Sequence, residues 1–338
     1  MQRITPEELS VRLPSADNIA AAMDVIDPIF LRTPLLRGTS LDRALDLELF
    51  CKVETLNPIR SFKGRGTELL VAQMKDRRPI VCASAGNFGQ GLARAAARRD
   101  QFVTVFAATN ANPLKIAAMR ALGARVRLKG ADFDAAKNAA RRFAAEHEAF
   151  YVEDGAIPEI AEGAGTMALE ISETGLMPEI MLVPLGNGAL ATGIGTWCRH
   201  AAPGTRVIGV VSEGAPSMQL SFAAEEAIST PTADTIADGI AVREPVLYAV
   251  QSMHDTVDEV VTVSDKSIVR AMRLLHGHLG LVIEPAGAVG VAAILENPAR
   301  WRGTRIATPL CGGNVTQEDT RRWLLPPVKR SSGKSQGG

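Results

Sequence analysis

Short apolar runs with strand propensity alternate along this chain with helix-like segments, and this alternation restricts the possible folds more than any other feature. Expected strands lie at 47–53, 79–83, 102–106, 124–128, 180–183, 206–211 and 304–307. Helical patterns lie at 91–99, 113–122 and 132–147. This order predicts an α/β fold of open, mostly parallel sheets covered by helices on both faces. Ligands of such sheets bind at the carboxyl ends of the strands, so the functional site is expected at that edge.

Glycine-rich loops follow three of the expected strands, at 84–91, 184–190 and 311–314. Backbone N–H groups in such loops bind anions, particularly where a helix begins. Upstream, Lys63 lies between Phe62 and Gly64, in a segment that predicts a turn whose glycines let the backbone approach something bulky. A lysine amine is a nucleophile for carbonyl groups. One amine and three loops of backbone N–H groups therefore predict a covalently held, phosphorylated cofactor.

Size, charge and cysteine usage describe an ordinary globular protein. A chain of 338 residues can form two lobes with substantial cores. Because 37 basic residues balance 37 acidic ones, neither nucleic acid nor a membrane surface is favoured as a partner. The first residues lack the apolar core of a signal peptide, and no apolar stretch approaches the roughly 20 residues that span a bilayer. Four scattered cysteines predict reduced thiols, so we expect a cytoplasmic protein.

The lysine segment and the three loops, in this order, resemble the motifs of pyridoxal-phosphate enzymes of the tryptophan-synthase-β class (fold type II), particularly serine/threonine dehydratases. The resemblance spans nearly the whole chain. It implies a large cofactor-binding domain at 1–66 and 149–328, a small inserted domain at 67–148, and pyridoxal 5'-phosphate between them. The polar, glycine-rich tail at 329–338 is expected to be disordered. We also expect a homodimer.

The resemblance assigns the central chemistry to Lys63. In such enzymes this lysine holds the cofactor as a Schiff base and, once substrate has displaced it, removes the Cα proton. The loop after the second expected strand would bind the substrate carboxylate, and its asparagine would also contact the phenolic oxygen of the cofactor. The expected substrate-binding residues are Ser84, Ala85, Gly86, Asn87 and Phe88.

Two residues of that loop depart from the pattern of related enzymes. Phe88 occupies a position where the family usually has histidine, so a polar role is lost there. Ala85 occupies the position where serine racemases have a hydroxyl that works on the opposite face of Cα. Dehydratases that resemble threonine deaminase have alanine at this position, so Ala85 favours elimination over racemisation.

The remaining cofactor contacts are also implied by the resemblance. The phosphate would lie on the loop formed by Gly186, Asn187, Gly188, Ala189 and Leu190. The ring would contact Phe62, Asn87, Gly239, Glu284 and Cys311. Cys311 falls where the family has serine or threonine opposite the pyridine nitrogen. A thiol would leave that nitrogen largely unprotonated, whereas a thiolate could stabilise a pyridinium, and the sequence leaves both possibilities open.

A dinucleotide site is the alternative interpretation of the third loop. The spacing Gly186-x-Gly188-x-x-Ala191 fits the fingerprint after a strand, and Glu213, about 20 residues further on, could bind a ribose hydroxyl. This NAD hypothesis leaves Lys63 and the loop at 84–91 without a role.

Other departures bear on metals and on the substrate. Val211 and Ser217 replace the two carboxylates that hold a divalent cation in several related dehydratases and racemases, so no metal is expected. Arg60 could bind a second substrate carboxylate or face solvent. The segment 160–166 resembles one that closes over substrate, and within it Glu162 could instead be structural.

The sequence as a whole predicts a pyridoxal-phosphate-dependent ammonia-lyase. It would convert L-threonine, L-serine or a similar small β-substituted amino acid to a 2-oxo acid and ammonia. The main alternative is a β-replacement synthase acting on an activated serine, which shares the steps up to loss of the β-substituent. A serine racemase and an NAD-binding protein are the further alternatives.

Overall fold

The computed structural model describes residues 12–325, and the tail expected at 329–338 lies outside this range. The strands are β1 Leu35–Leu36, β2 Glu48–Val53, β3 Ile80–Ala83, β4 Val103–Ala107, β5 Arg125–Leu128, β6 Phe150–Val152, β7 Ile180–Pro184, β8 Arg206–Ser212, β9 Glu259–Val263 and β10 Arg305–Leu310. The helices are α1 Ala16–Ala22, α2 Ser40–Leu45, α3 Lys63–Gln73, α4 Asn87–Ala97, α5 Pro113–Ala121, α6 Phe133–Glu146, α7 Pro158–Ser172, α8 Ala189–Ala201, α9 Ser217–Ala224, α10 Leu247–His254, α11 Asp265–Leu279, α12 Pro285–Glu296, α13 Pro298–Trp301 and α14 Gln317–Trp323. Two 3-10 turns, Pro28–Phe30 and Asp238–Ile240, complete the described elements.

The larger sheet has six strands in the order β1-β2-β10-β7-β8-β9. Only the pair β1–β2 is antiparallel, and the other neighbours are parallel. Successive residues of a strand point to opposite faces. In β7, Leu182 belongs to the apolar core formed with α11 and α12, whereas Met181 and Val183 belong to the core formed with α7 and α8. Both faces are therefore covered, as the sequence predicts.

The smaller sheet has four parallel strands in the order β5-β4-β3-β6. Residues of α4 and α5 cover one face and residues of α6 the other. Its edge strand β6 pairs Phe150 with Ile80 and Val152 with Cys82. The sheet therefore runs four residues past the domain boundary expected at 148, because all three residues of β6 pair with β3. The division into two domains itself stays a prediction.

Lys63 lies at the first position of helix α3, and the expected turn is wrong. The glycines beside it serve packing against protein. A Cβ on Gly64 would lie 2.1 Å from a ring carbon of Phe30, and one on Gly66 would lie 2.5 Å from the carbonyl oxygen of Ile160. Contacts this close exclude any side chain, so these two glycines seat α3 against its neighbours.

Helix α7 lies between α3 and α8, and its backbone contacts the backbone of each of these two helices. A Cβ on Gly163 would lie 2.5 Å from the Cα of Gly66, and one on Gly193 of α8 would lie 1.9 Å from the carbonyl oxygen of Ala161. These contacts fix the helix that begins with Lys63 relative to the helix that follows the loop at 184–190.

Helix α7 also includes the segment 160–166. Glu162 is buried in this helix and forms an ion pair with Arg12. These contacts support a structural role for Glu162.

A buried ion network holds the start of α3 to the larger sheet. Arg65 is completely buried and bonds Glu54 at 2.8 Å and Glu170 at 2.6 Å. Lys52 of β2 bonds the same Glu170 at 2.5 Å, and Thr33 donates to Glu54 at 2.5 Å. Each charge has an opposite partner, which a buried charge requires. The network thereby fixes the backbone two residues from Lys63.

Candidate active site

One cavity of about 710 Å³ lies at the carboxyl ends of strands from both sheets. Its lining includes all fifteen residues that the sequence predicts for the site. These are Phe62, Lys63, Ser84, Ala85, Gly86, Asn87, Phe88, Gly186, Asn187, Gly188, Ala189, Leu190, Gly239, Glu284 and Cys311. Residues separated by more than 200 positions are thus brought together, although their individual roles stay predictions.

Lys63 projects its amine into this cavity. Nζ lies 2.5 Å from Oδ2 of Asp154, and both side chains are about 15% exposed, at 15% and 16%. The ring centroids of Phe62 and Phe88 lie 4.8 Å and 5.7 Å from Nζ. Two aromatic faces and a carboxylate therefore surround the amine, an environment that favours a cation.

The loop before α8 forms an anion cradle. Gly188 has φ +87° and begins α8, with no side chain of the described residues capping the helix. The first N–H groups of a helix have no acceptor within the helix, so those of Ala189 and Leu190 are available to a ligand. A Cβ on Gly186 would lie 2.9 Å from the carbonyl oxygen of Gly239. The cradle thus offers backbone groups and helix polarity that fit a phosphate dianion.

The loop after β3 forms a second anion site at the start of α4. The hydroxyl oxygen of Ser84 accepts hydrogen bonds from the N–H of Gly86 at 3.1 Å and of Gly89 at 2.9 Å. These bonds fold the loop so that α4 begins at Asn87 beside the exposed Ala85. A carboxylate at this helix start would meet free N–H groups.

Asn87 is held in place by a buried polar cluster. Its Nδ2 donates to both carboxyl oxygens of Glu284, at 2.9 Å and 3.1 Å. Nδ2 of Asn314 donates to Oδ1 of Asn87 at 2.7 Å. Burial raises the pKa of the Glu284 carboxyl, and the charge of Asp238 acts in the same direction. The cluster fixes the orientation of the Asn87 amide at the cavity wall.

The surroundings of Cys311 favour the protonated thiol. Burial raises the pKa of the Cys311 thiol above its ordinary value, and the nearby Glu284 carboxyl raises it further. Of the two possibilities left open by the sequence, the geometry therefore favours the neutral thiol. The carbonyl oxygen of Cys311 accepts from the N–H of Phe62 at 3.1 Å and from the Ser61 hydroxyl at 3.3 Å, which joins its loop to the lysine segment.

Several charged residues of the cavity wall are not predicted by the sequence analysis. Lys115 of α5 forms an ion pair with Asp238. Asp134 of α6 bonds Arg243 at 2.5 Å. These two bridging ion pairs connect helices packed on the smaller sheet to the segment 238–243. They join positions more than 100 residues apart, and no local pattern in the sequence marks such partners.

Asp154 is another charged residue of the cavity lining that is absent from the sequence analysis. It follows β6, at the carboxyl end of a strand, where functional side chains are expected. Recognition of the three-residue strand 150–152 would have pointed to it. Its position beside Lys63 is the main addition that the structure makes to the site.

Three residues discussed from the sequence lie away from the cavity lining. Arg60 is exposed to solvent with φ +52°, as one of its two interpretations requires. Val211 is buried in β8, and the Ser217 hydroxyl donates to the carbonyl oxygen of Val242 at 2.6 Å. Within residues 12–325, no group of three or more His, Cys, Asp or Glu side chains is arranged to hold a metal ion. The expectation of a metal-free enzyme stays a prediction.

Comparison with known proteins identifies the family. The family described as "Pyridoxal-phosphate dependent enzyme" matches residues 26–312. L-Threonine ammonia-lyase of Thermotoga maritima is 35% identical over 302 residues, which cover 88% of this chain and 75% of that protein. Biosynthetic L-threonine dehydratase of Lactococcus lactis is 31% identical over 310 residues, 89% of this chain and 74% of that protein. The crystal structure of a threonine deaminase from T.th. superposes with a TM-score of 0.84 at 31% identity, covering 90% of this chain and 99% of that one.

The chain therefore belongs to the pyridoxal-phosphate-dependent enzyme family and has the fold type II architecture. Within that family it is an enzyme of the lyase type. Its cofactor is pyridoxal 5'-phosphate, which fits the anion cradle, the amine of Lys63 and the volume between them. The dinucleotide hypothesis loses its support, because the family uses pyridoxal phosphate and Glu213 is exposed away from the cavity lining. In the described residues, no helix has the length and apolar character needed to cross a membrane.

Proposed function

We propose that this enzyme is an ammonia-lyase that converts L-threonine, L-serine or a similar small β-substituted amino acid to a 2-oxo acid and ammonia. One observation carries the proposal. The amine of Lys63 lies in the same cavity as an anion cradle for the cofactor at α8 and a second anion site for the substrate carboxylate at α4. The similarity to proteins named L-threonine ammonia-lyase and L-threonine dehydratase supports the same reaction.

Different residues of the cavity would bind different parts of the cofactor. Pyridoxal phosphate, when bound, supplies an electron sink that acidifies the Cα proton of the attached amino acid. Lys63 would hold it through Nζ, the N–H groups at 186–190 would bind its phosphate, and Asn87 and Cys311 would face its ring. A neutral Cys311 thiol donates only weakly, which favours prompt loss of the β-substituent.

Lys63 also acts on the substrate. With its amine free, it is placed to accept the Cα proton while the start of α4 holds the carboxylate. The β-hydroxyl then takes up a proton, equivalent to the one removed from Cα, and leaves as water. Hydrolysis of the resulting enamine gives the 2-oxo acid and ammonia.

Replacement of the lysine tests the proposal. We expect the purified protein to absorb in the visible range and to release a 2-oxo acid from L-threonine or L-serine. Lys63→Ala should lose both properties, whereas Lys75→Ala, a matched change at an exposed lysine, should keep them. Borohydride reduction followed by peptide mapping should label Lys63. A colourless protein, or label on another lysine, would contradict the assignment.

Elimination must also be separated from β-replacement. L-Serine, O-acetyl-L-serine and O-phospho-L-serine can each be supplied with and without a thiol. We expect 2-oxo acid to remain the main product in every case. A substituted amino acid as the main product with any donor would establish a synthase.

We further propose a cytoplasmic homodimer. All four cysteines are free and buried, which suits a reducing compartment. Leu13 and Leu247 are 55% and 43% exposed, and the Tyr248 hydroxyl donates to the Arg12 carbonyl at 2.9 Å, so the two leucines lie on adjoining segments. An apolar patch of this kind suits a second copy. Light scattering should give twice the chain mass, and Leu247→Glu should halve it.

A further inference from the structure

Asp154 contacts the reacting amine of Lys63 from a strand end 91 residues away in sequence. Its Oδ2 lies 2.5 Å from Nζ, and both side chains are mostly shielded from solvent. At this distance the contact is a charge-assisted hydrogen bond. The carboxylate therefore acts directly on the position of the amine.

The second carboxyl oxygen of Asp154 differs from those of the structural acids nearby. Its Oδ1 is buried without a hydrogen-bond partner in the part of the chain that the structure describes. Glu54 and Glu170, by contrast, use both oxygens to bond Arg65 or its neighbours. An unsatisfied buried oxygen is costly, and it lies in a residue that lines the cavity. A purely structural role for Asp154 does not account for it.

The surroundings of Nζ are complementary to a cation. Besides Asp154, the faces of Phe62 and Phe88 lie 4.8 Å and 5.7 Å away. A positive charge appears at Nζ when the neutral amine accepts the Cα proton. Groups arranged around the site of a developing charge lower the barrier to its formation.

We propose that Asp154 is a positioning residue that stabilises the ammonium form of Lys63 during removal of the Cα proton. This role rests on the function proposed above. In the step, the Cα–H bond breaks, its electron pair stays with the substrate, and a new N–H bond forms at Nζ. Asp154 remains ionised and accepts a hydrogen bond from that ammonium. The proton is later returned to Cα or leaves with the β-hydroxyl as water.

Exchange of the Cα hydrogen of L-alanine with deuterated solvent tests the step by itself, because L-alanine has no β-substituent to lose. In the holoenzyme, Asp154→Asn should slow this exchange by at least about tenfold, the effect of losing an opposite charge at this range. Asp154→Glu keeps the charge and should recover most of the rate. Asp100→Asn makes the same chemical change at an exposed position outside the cavity and should match the wild-type protein.

Attachment of the cofactor to the apoenzyme supplies a readout that is independent of turnover. The proposed role would also favour the ammonium form of the unattached lysine, which is not a nucleophile, so Asp154→Asn should attach pyridoxal phosphate at least as fast as wild type. Borohydride trapping at Lys63 at successive times measures the rate. A general structural defect would slow attachment and exchange together. Attachment at least as fast as in wild type, together with slower exchange, is the signature of the proposed role.

Two outcomes would overturn the inference: unchanged Cα exchange in Asp154→Asn, or exchange and attachment that slow in parallel. Failure of the proposed function is recognised separately. If wild-type enzyme exchanges the Cα hydrogen of L-alanine but releases no 2-oxo acid from any β-hydroxy amino acid, the ammonia-lyase reaction is excluded and the role of Asp154 is still measured.

Discussion

Ala85 is exposed in the cavity on the loop that precedes α4, and this position bears on how many groups could exchange a proton at Cα. In the proposed function Lys63 would serve one face of Cα, and the methyl group of Ala85 can neither donate nor accept a proton on the other. We expect L-serine to give pyruvate with little D-serine. Ala85→Ser should increase the ratio of D-serine to pyruvate, measured by chiral chromatography beside an oxo-acid assay. Comparable D-serine from the wild-type enzyme would show that a different residue provides the second base.

The absence of two carboxylates at Val211 and Ser217 leads to a prediction about metals. Val211 is part of a buried strand and the Ser217 hydroxyl is committed to a backbone carbonyl, so neither supplies a ligand for a hard cation. We expect EDTA to leave the rate of oxo-acid release within about twofold of the rate of the untreated enzyme. If the enzyme required a cation, EDTA would remove a stabilising ligand and the rate would fall by more than this. Strong loss that magnesium or calcium restores would place a cation site elsewhere in the chain.

At the scale of residues, the fifteen site residues expected from the sequence all line one cavity, whereas the charge pairs of that cavity are not predicted. The loops that contain residues 84, 186 and 311 follow strands, and their glycines indicate that backbone N–H groups are accessible to a ligand. Asp154 and Arg243 carry no such mark, because an ion pair depends on where two distant segments meet. Position on a strand end was the one available signal for Asp154.

At the scale of elements, the close contact of α3, α7 and α8 makes glycine a requirement at Gly163. An added Cβ there would lie 2.5 Å from the Cα of Gly66, so the helices must separate. We expect Gly163→Ala to lower the free energy of unfolding by about 1–3 kcal/mol or more, as overpacking does. It should also reduce cofactor attachment at Lys63. Urea denaturation and borohydride trapping measure the two effects.

Gly277 provides the matched control for that substitution. It lies inside helix α11 with no atom within 4 Å of an added Cβ. Gly277→Ala should raise the free energy of unfolding by about 0.5–1 kcal/mol through helix propensity. Equal effects of the two substitutions would mean that the contact between α3 and α7 does not restrict the fold.

Several elements are predicted accurately, whereas the long helices α7, α8, α11 and α12 and three of the strands are not predicted. The expected strand at 206–211 differs by one residue from β8, and the expected helix at 113–122 by one from α5. The strands β1, β6 and β9 are not predicted. β1 and β6 have only two and three residues, too few to show a period, and their pairing depends on neighbouring strands. For Lys63, the flanking glycines indicate a turn, but tertiary contacts with Phe30 and Ile160 make that segment helical.

At the scale of the whole molecule, the four buried thiols predict how stability depends on pH. Burial raises the pKa of Cys51 and Cys198 from 9.0 to about 12, and it raises the pKa of Cys82 and Cys311 as well. Above about pH 9 the unfolded chain loses thiol protons that the folded chain keeps, so stability falls as pH rises. Each thiol contributes a slope of about 1.4 kcal/mol per pH unit over this window.

Removal of one thiol isolates this contribution. Cys82→Ala should make the decline in the free energy of unfolding between pH 9 and 10 shallower by about 1.4 kcal/mol per pH unit at most. Urea denaturation in the presence of a reductant measures the slope. An unchanged slope would show that Cys82 ionises equally in the folded and unfolded chain.

The two bridging ion pairs, Lys115–Asp238 and Asp134–Arg243, lead to the prediction that access to the cavity depends on ionic strength. Dissolved salt screens partly exposed charge pairs within a Debye length of about 8 Å at 0.15 M, but it acts little on groups shielded inside. We expect added potassium chloride to change KM for the amino acid more than the rate of Cα exchange at saturation, and Arg243→Gln to remove much of that dependence. The salt content of the surrounding solution, rather than any ligand, would then regulate how readily this enzyme admits its substrate.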